Sequence, residues 1–211
     1  MTADLRLFTA AAVCFAAFAL LGLHVSRRPL GRLDSFAVYF RGQATRLARA
    51  FTISGRAAGV TTACVMAFVV FLLLRKPLWI PLAITVSQVT SQGLIEACKA
   101  LYVRTRPDYW LVGMDAGHSY PSGHSSTAIA FVMAWALVVA FAGLYPPVRD
   151  CAIAVFALWA LGIMWSRLAL GAHYLTDVFG GMLFGTGWLC LMCALLLHFA
   201  GFVLRAPHDI W

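Results

Sequence analysis

Three short clusters hold most of the chemistry this sequence could do. They are Lys99 with Arg104 and Arg106-Pro107, then Pro121-Ser122-Gly123-His124, then Ser166-Arg167 with His173 and Asp177. Pro-Ser-Gly-His stands directly before an apolar run, so Ser122 reads as a helix N-cap and Gly123 permits close backbone approach. A helix N-terminus presents unpaired N–H groups at the positive end of a dipole and so binds anions. His124 at that place is positioned to protonate a leaving oxygen. His173 and Asp177 are four residues apart and share one face of a helical turn. A carboxylate that accepts from one ring nitrogen fixes the tautomer and leaves the other nitrogen free to attack. Arg167 supplies a planar fork for phosphate oxygens, and Lys99 and Arg106 add positive charge. Together these residues indicate cleavage of a bound phosphate through a histidine nucleophile. Singly, each has a plainer reading: a capped helix with an interfacial histidine, a structural His–Asp pair, or snorkelling cations at a helix end.

These clusters need elements to carry them, and the rest of the chain is apolar. Of 211 residues 62% are hydrophobic and only 11% charged, against roughly 25% charged in soluble domains. A soluble domain is excluded on that balance, and the expected architecture is all-α, one polytopic membrane domain over residues 1–211. Six apolar segments, 7–25, 57–74, 78–98, 125–145, 151–170 and 176–203, each approach the roughly 20 residues that span a bilayer as a helix. The first has a weak basic leader and no Ala-x-Ala site, so it reads as a retained helix and not a signal peptide. In the long connection 26–56, Phe36, Phe40, Leu47 and Phe51 alternate with Arg41, Arg46 and Arg49. That pattern predicts an amphipathic helix from Asp34 to Phe51 lying in the interface between helices one and two, with a solvated basic loop as the plainer reading.

With six spans, the connections after helices one, three and five share one side of the membrane. The second and third of them carry Lys99 to His124 and Ser166 to Asp177, so all three clusters are expected at one face. The net charge of +8 points to anionic lipid head groups, not nucleic acid. The basic residues Arg27, Arg28, Arg32, Arg41, Arg46, Arg49 and Arg56 flank that face, against Arg6, Arg75, Lys76, Arg149 and Arg205 opposite. This count leans towards a cytoplasmic active face. Cys190 and Cys193 form a CxxC inside an apolar segment without His or carboxylate companions, and all six cysteines read as small hydrophobes.

Lys-x6-Arg-Pro, Pro-Ser-Gly-His and Ser-Arg-x5-His-x3-Asp, in this order, resemble the three-part signature of the phosphatidic acid phosphatase type 2 superfamily. That family includes bacterial lipid phosphatases, undecaprenyl diphosphate phosphatases, glucose-6-phosphatase and vanadium haloperoxidases. The motifs cover residues 99–177, and every signature position is filled. The resemblance implies His173 as nucleophile forming a phosphohistidine, Asp177 as its orienting carboxylate and His124 as the acid. It implies Lys99, Arg106, Arg167 and the Ser122–Gly123 backbone as the phosphate clamp, with no metal or other cofactor. It further implies a lipid monophosphate or diphosphate substrate, such as undecaprenyl diphosphate, phosphatidate, phosphatidylglycerol phosphate or a lipid A phosphate. The expected setting is a bacterial inner membrane with the active site extracytoplasmic, opposite to the charge count. A phosphotransferase using the same phosphohistidine and a non-catalytic lipid-binding or transport protein are the rival functions. With His173 neutral as nucleophile and His124 protonated as acid, a bell-shaped pH profile is expected.

Other polar residues have plainer expectations. Gln88, Gln92 and Glu96 make a stripe down the third helix towards Lys99, read as interhelical hydrogen bonding or as positioning of Lys99 through Glu96. Gly181 and Gly185 read as a close-packing pair. His118, His24, His198, His208, Asp108 and Asp115 read as loop, interfacial or tail polars.

Overall fold

The computed structural model describes residues 2–27, 31–108, 111 and 117–203, and these are all helical or in connections, with no strand among them. The helices are α1 (Ala3–Arg27), α2 (Arg32–Phe36), α3 (Thr45–Ser54), α4 (Ala57–Leu73), α5 (Trp79–Tyr102), α6 (Gly123–Thr127), α7 (Met133–Ala140), α8 (Pro146–Ala169) and α9 (Leu175–Val203). A 3-10 turn, Ala37–Phe40, follows α2, and a π-helical stretch, Ala128–Val132, joins α6 to α7 in one continuous run. The run starts where Ser122 caps it, the Ser125 N–H pointing to the Ser122 hydroxyl. Pro146 and Pro147 open α8, where their missing N–H groups cost nothing.

Four of these runs, Ala3–Arg27, Gly123–Ala140, Pro146–Ala169 and Leu175–Phe199, are long and apolar enough to cross a membrane. A fifth arises if Thr45–Ser54 and Ala57–Leu73, bent by 56°, count together. The expected span at 78–98 is helical and long enough, but it carries Gln88, Ser91, Gln92 and Glu96 and is not among the runs apolar enough to cross. Large apolar side chains such as Leu20, Leu73, Val89 and Leu158 face outwards, the arrangement a lipid-facing surface requires.

The expected single helix from Asp34 to Phe51 is divided into α2, the 3-10 turn and α3. The chain turns at Gly42 (φ +80°) and Ala44 (φ +41°), and the Gly42 N–H bonds the Ala169 carbonyl at the end of α8. Hydrogen bonding to α8 and the left-handed turn override the local helical pattern. α3 then packs on α8, with Phe51 edge-on to Trp159 and filling the space a side chain at Gly162 would occupy.

Two apolar clusters hold the bundle. One joins Ala128, Phe131 and Val132 to Ile163, Met164 and Leu168 of α8; the other joins Phe18 of α1 to Tyr102, Tyr120, Phe184 and Trp188. Tyr120, immediately before the Pro-Ser-Gly-His segment, is fully buried, stacks on Phe18 and donates to the Phe18 carbonyl at 2.6 Å. Gly22 of α1 and Gly180 of α9 press on its ring from two sides, and a Cβ at either position would collide with it. Gly181 and Gly185 do act as a close-packing pair. A Cβ on Gly181 would strike the Ser122 carbonyl, and one on Gly185 would come within 2.9 Å of Ile129 and the Ser126 carbonyl. All six cysteines are free thiols; Cys190 and Cys193 are half-buried and Cys151 is exposed.

Candidate active site

His173 sits in the short connection between α8 and α9, and Asp177 in the first turn of α9. Both are buried, at 3% and 0% exposure. The ring Nδ1 faces Asp177 Oδ2 and the Ser119 hydroxyl, each at 3.5 Å. On the other side, Arg106 Nη1 lies 3.1 Å from Nε2. A guanidinium only donates, so Nε2 must accept, and the ring proton belongs on Nδ1 towards the carboxylate. The unprotonated nitrogen is therefore Nε2, whose lone pair accepts from Arg106. Burial pushes the His173 imidazole down to about 4, against the pull of Asp177 and with help from the charges of Arg167 and Arg106. A neutral ring at physiological pH follows, the state a nucleophile needs.

Asp177 is held on several sides. Oδ2 accepts from the Ser119 hydroxyl and, at 2.9 Å, from the Tyr174 N–H, while Oδ1 accepts from Arg104 Nη1 at 2.5 Å. Its own carbonyl receives the Ser122 N–H at 3.0 Å, which fixes the second cluster against the third. Arg104 thus departs from the expectation of a snorkelling cation: it is 7% exposed and turned inwards.

Around the start of α6 the other predicted residues assemble. Lys99 Nζ bonds Glu96 Oε1 at 2.7 Å and lies 3.8 Å from where a Cβ on Gly123 would stand. The absence of a side chain at Gly123 keeps the helix N-terminus open towards that ammonium. His124 is half-buried and its Nε2, fully enclosed, has no hydrogen-bond partner among the described residues, an arrangement suited to a group whose partner is a reactant. Arg167, 1% exposed, donates from Nη1 to Thr52 at 3.1 Å, and Thr52 shares a 2.7 Å hydrogen bond with Ser166. Arg106 also donates to the Gly117 and Ala172 carbonyls.

All eight predicted residues therefore lie at one end of the bundle, as helix parity requires. Gln88 and Gln92 both donate to the Thr127 hydroxyl at 2.9 Å, tying α5 to α6, and Glu96 does hold Lys99. His118 is half-buried, and it is the neighbouring Ser119 that reaches Asp177. Asp115 and His208 lie outside the described residues. Sequence reasoning missed Asp34, Thr52, Gly55, Ser119 and Thr176. Gly55, at the bend between α3 and α4, brings that corner to His124: a Cβ there would come 3.0 Å from His124 Cδ2. No spacing rule links these residues to the motifs, because each meets the site through tertiary contact.

The model of the PAP2 superfamily matches residues 76–199, well over half of the chain. The chain belongs to the PAP2 superfamily. The resemblance carried by the three motifs is thereby confirmed for this PAP2 protein. Its similar relatives include the lipid A 1-phosphatases of Rhizobium etli, 35% identical over 63% of this chain and 57% of that protein, and of Rhizobium johnstonii, 34% identical over 63% and 54%. Phosphatidylglycerophosphatase B of Escherichia coli K12 is 41% identical over 30% of this chain and 23% of that protein. The matched region thus spans just over half the length of the lipid A relatives. A solved transmembrane PAP2-type phosphatidylglycerolphosphate phosphatase from Bacillus subtilis shares the fold, with a TM-score of 0.74 at 22% identity over 94% of this chain and 98% of that one.

Proposed function

We propose that this PAP2 protein is an integral membrane phosphatase that hydrolyses the phosphate of an amphiphilic lipid through a phosphohistidine. The supporting observation is the polarised imidazole of His173, with Nδ1 towards Asp177 and Nε2 beside Arg106. In the first step Arg106 passes its hydrogen bond from Nε2 to a phosphoryl oxygen, and the Nε2 lone pair forms a bond to phosphorus. The P–O bond to the lipid breaks, and His124 gives its proton to the departing oxygen. In the second step water attacks the phosphohistidine, His124 takes a proton from it, and the N–P bond breaks to release phosphate and free His173. Lys99, Arg106, Arg167 and the N–H groups at Gly123 and His124 neutralise the equatorial oxygens as charge develops. This requires no metal or other cofactor.

The names of the relatives favour a membrane phospholipid or lipid A phosphate as substrate, held among the surrounding membrane lipids. In the membrane we infer six crossings, α5 being carried by its polar contacts to α6, with α2 and α3 at the head-group level. The face carrying the site is inferred to be extracytoplasmic, on a bacterial inner membrane. Purified full-length protein in detergent, offered phosphatidate, phosphatidylglycerol phosphate, undecaprenyl diphosphate and a lipid A 1-phosphate, tests the reading. Phosphate release from at least one of them, abolished in His173→Ala, is expected. Equal release by the wild type and His173→Ala would overturn the nucleophile; no release from any would overturn hydrolysis.

A further inference from the structure

Arg104 touches neither candidate histidine, yet it is buried and bonded to two carboxylates. Nη1 reaches Asp177 Oδ1 at 2.5 Å and Thr176 Oγ1 at 2.7 Å; Nη2 reaches Asp34 Oδ2 at 2.6 Å; the guanidinium lies over the Tyr174 ring, 4.4 Å from its centroid. Asp34 is 3% exposed, and its second oxygen accepts from the Thr176 N–H at 3.1 Å and hydroxyl at 2.6 Å. A buried cation thus bridges two buried carboxylates, one belonging to the nucleophile and the other to α2. Such groups are retained only where paired, since removing one partner leaves an uncompensated charge.

We propose that Arg104 is a positioning residue that holds Asp177 in line with His173, and that Asp34 latches the segment 31–40 to the same guanidinium. The geometry divides the labour. Arg106 and Arg167 bear on the imidazole side, whereas Arg104 meets only the far oxygen of Asp177. Asp177 is left with Ser119, the Tyr174 N–H and His173 on its near oxygen, so the carboxylate cannot rotate without breaking a charged bond. In α2 and the turn after it, Asp34 and Ala37 are the buried residues, so the ion pair is the main polar anchor of that segment. The inference rests on the proposed hydrolysis for its kinetic part, but not for its titration part.

The two ends of the Arg104–Asp34 pair have opposite signs of effect. Replacing Arg104 with glutamine removes a positive charge beside Asp177 and leaves the carboxylate to act more strongly on His173. Replacing Asp34 with asparagine removes a negative charge, leaving Arg104 wholly to Asp177. The test follows the ring resonance of His173 with pH in full-length protein carrying carbon-13 histidine in detergent, the signal identified by its loss in His173→Ala. Arg104→Gln should raise the midpoint, by about one pH unit, and Asp34→Asn should lower it. With phosphatidate micelles, Arg104→Gln should reduce kcat about tenfold with KM within about twofold, and Arg104→Lys, which keeps charge without the fork, should recover part of the loss.

An unmoved His173 midpoint in the folded variants, or a change in KM alone, would overturn the proposal. If Arg104→Gln does not fold, the downward shift in Asp34→Asn carries the test, and its absence is decisive. If the wild type releases no phosphate while the two midpoints move apart, hydrolysis is wrong and the positioning role stands.

Discussion

The two histidines of the site are housed differently. Around His173 the neighbouring polar groups are already engaged: Asp177 is bonded by Ser119, Tyr174 and Arg104, and Arg106 meets the ring. Around His124 the opposite holds, with Nε2 enclosed but unpartnered among the described residues and Lys99 tied to a single glutamate that is 66% exposed. The side of His173, the proposed nucleophile, is preorganised before substrate arrives, which is where electrostatic catalysis gains most. The side of His124, the proposed acid, keeps the hydrogen-bonding capacity of Nε2 for a reactant. In the proposed hydrolysis such a site would separate holding a base in one tautomer from delivering a proton to the departing oxygen.

Breaking the finished side should have the largest effect. Asp177→Asn keeps the shape but replaces an acceptor by an amide, so the His173 tautomer is no longer enforced. Turnover should fall about 10³- to 10⁴-fold, measured as phosphate release, and a loss under tenfold would show the carboxylate to be structural. His124→Gln should be milder, about a hundredfold on a lipid alkoxide. It should matter far less for an aryl phosphate whose leaving group needs no proton; equal losses on both would remove His124 as the acid. Because burial sets His173 at about 4, below its ordinary 6.5, the base stays neutral through the mildly acidic range. Activity should be lost only as pH falls towards that lower value, so the acid limb of kcat/KM belongs well under 6.5. A limb at 6.5 or above would mean that the imidazole is solvated. The smallest effect belongs to Glu96→Gln. An ion pair with so exposed a carboxylate is weak, and a reduction in kcat of a few-fold, with assembly intact, is expected; unchanged kinetics would leave Lys99 positioned without it.

The finished side was only half legible from the chain. His173 and Asp177 announce themselves by a four-residue spacing, and helix parity is enough to bring them to Lys99 and His124. Arg104 stands two residues from Arg106, and nothing in the sequence distinguishes a cation that turns inwards from one that snorkels. Its carboxylate partner Asp34 is 70 residues away, in a stretch whose alternating phenylalanines and arginines read as one amphipathic helix. The breaks at Gly42 and Ala44 come from bonding to the end of α8, and the burial of Asp34 comes from Thr176. Neither has a periodic signature. The polar stripe on α5 was read correctly as interhelical contact, but the acceptor, Thr127, is a residue of no special type.

Tyr120 carries a consequence for α1, a helix without one candidate site residue. The ring just before Pro-Ser-Gly-His is pinned by the Phe18 carbonyl and by the bare backbone at Gly22. The first helix is therefore the template on which the Pro-Ser-Gly-His segment is cast. Widening Gly22 to alanine would press a methyl group into the Tyr102 and Tyr120 rings, so a change near the beginning of the chain would be felt at the start of α6.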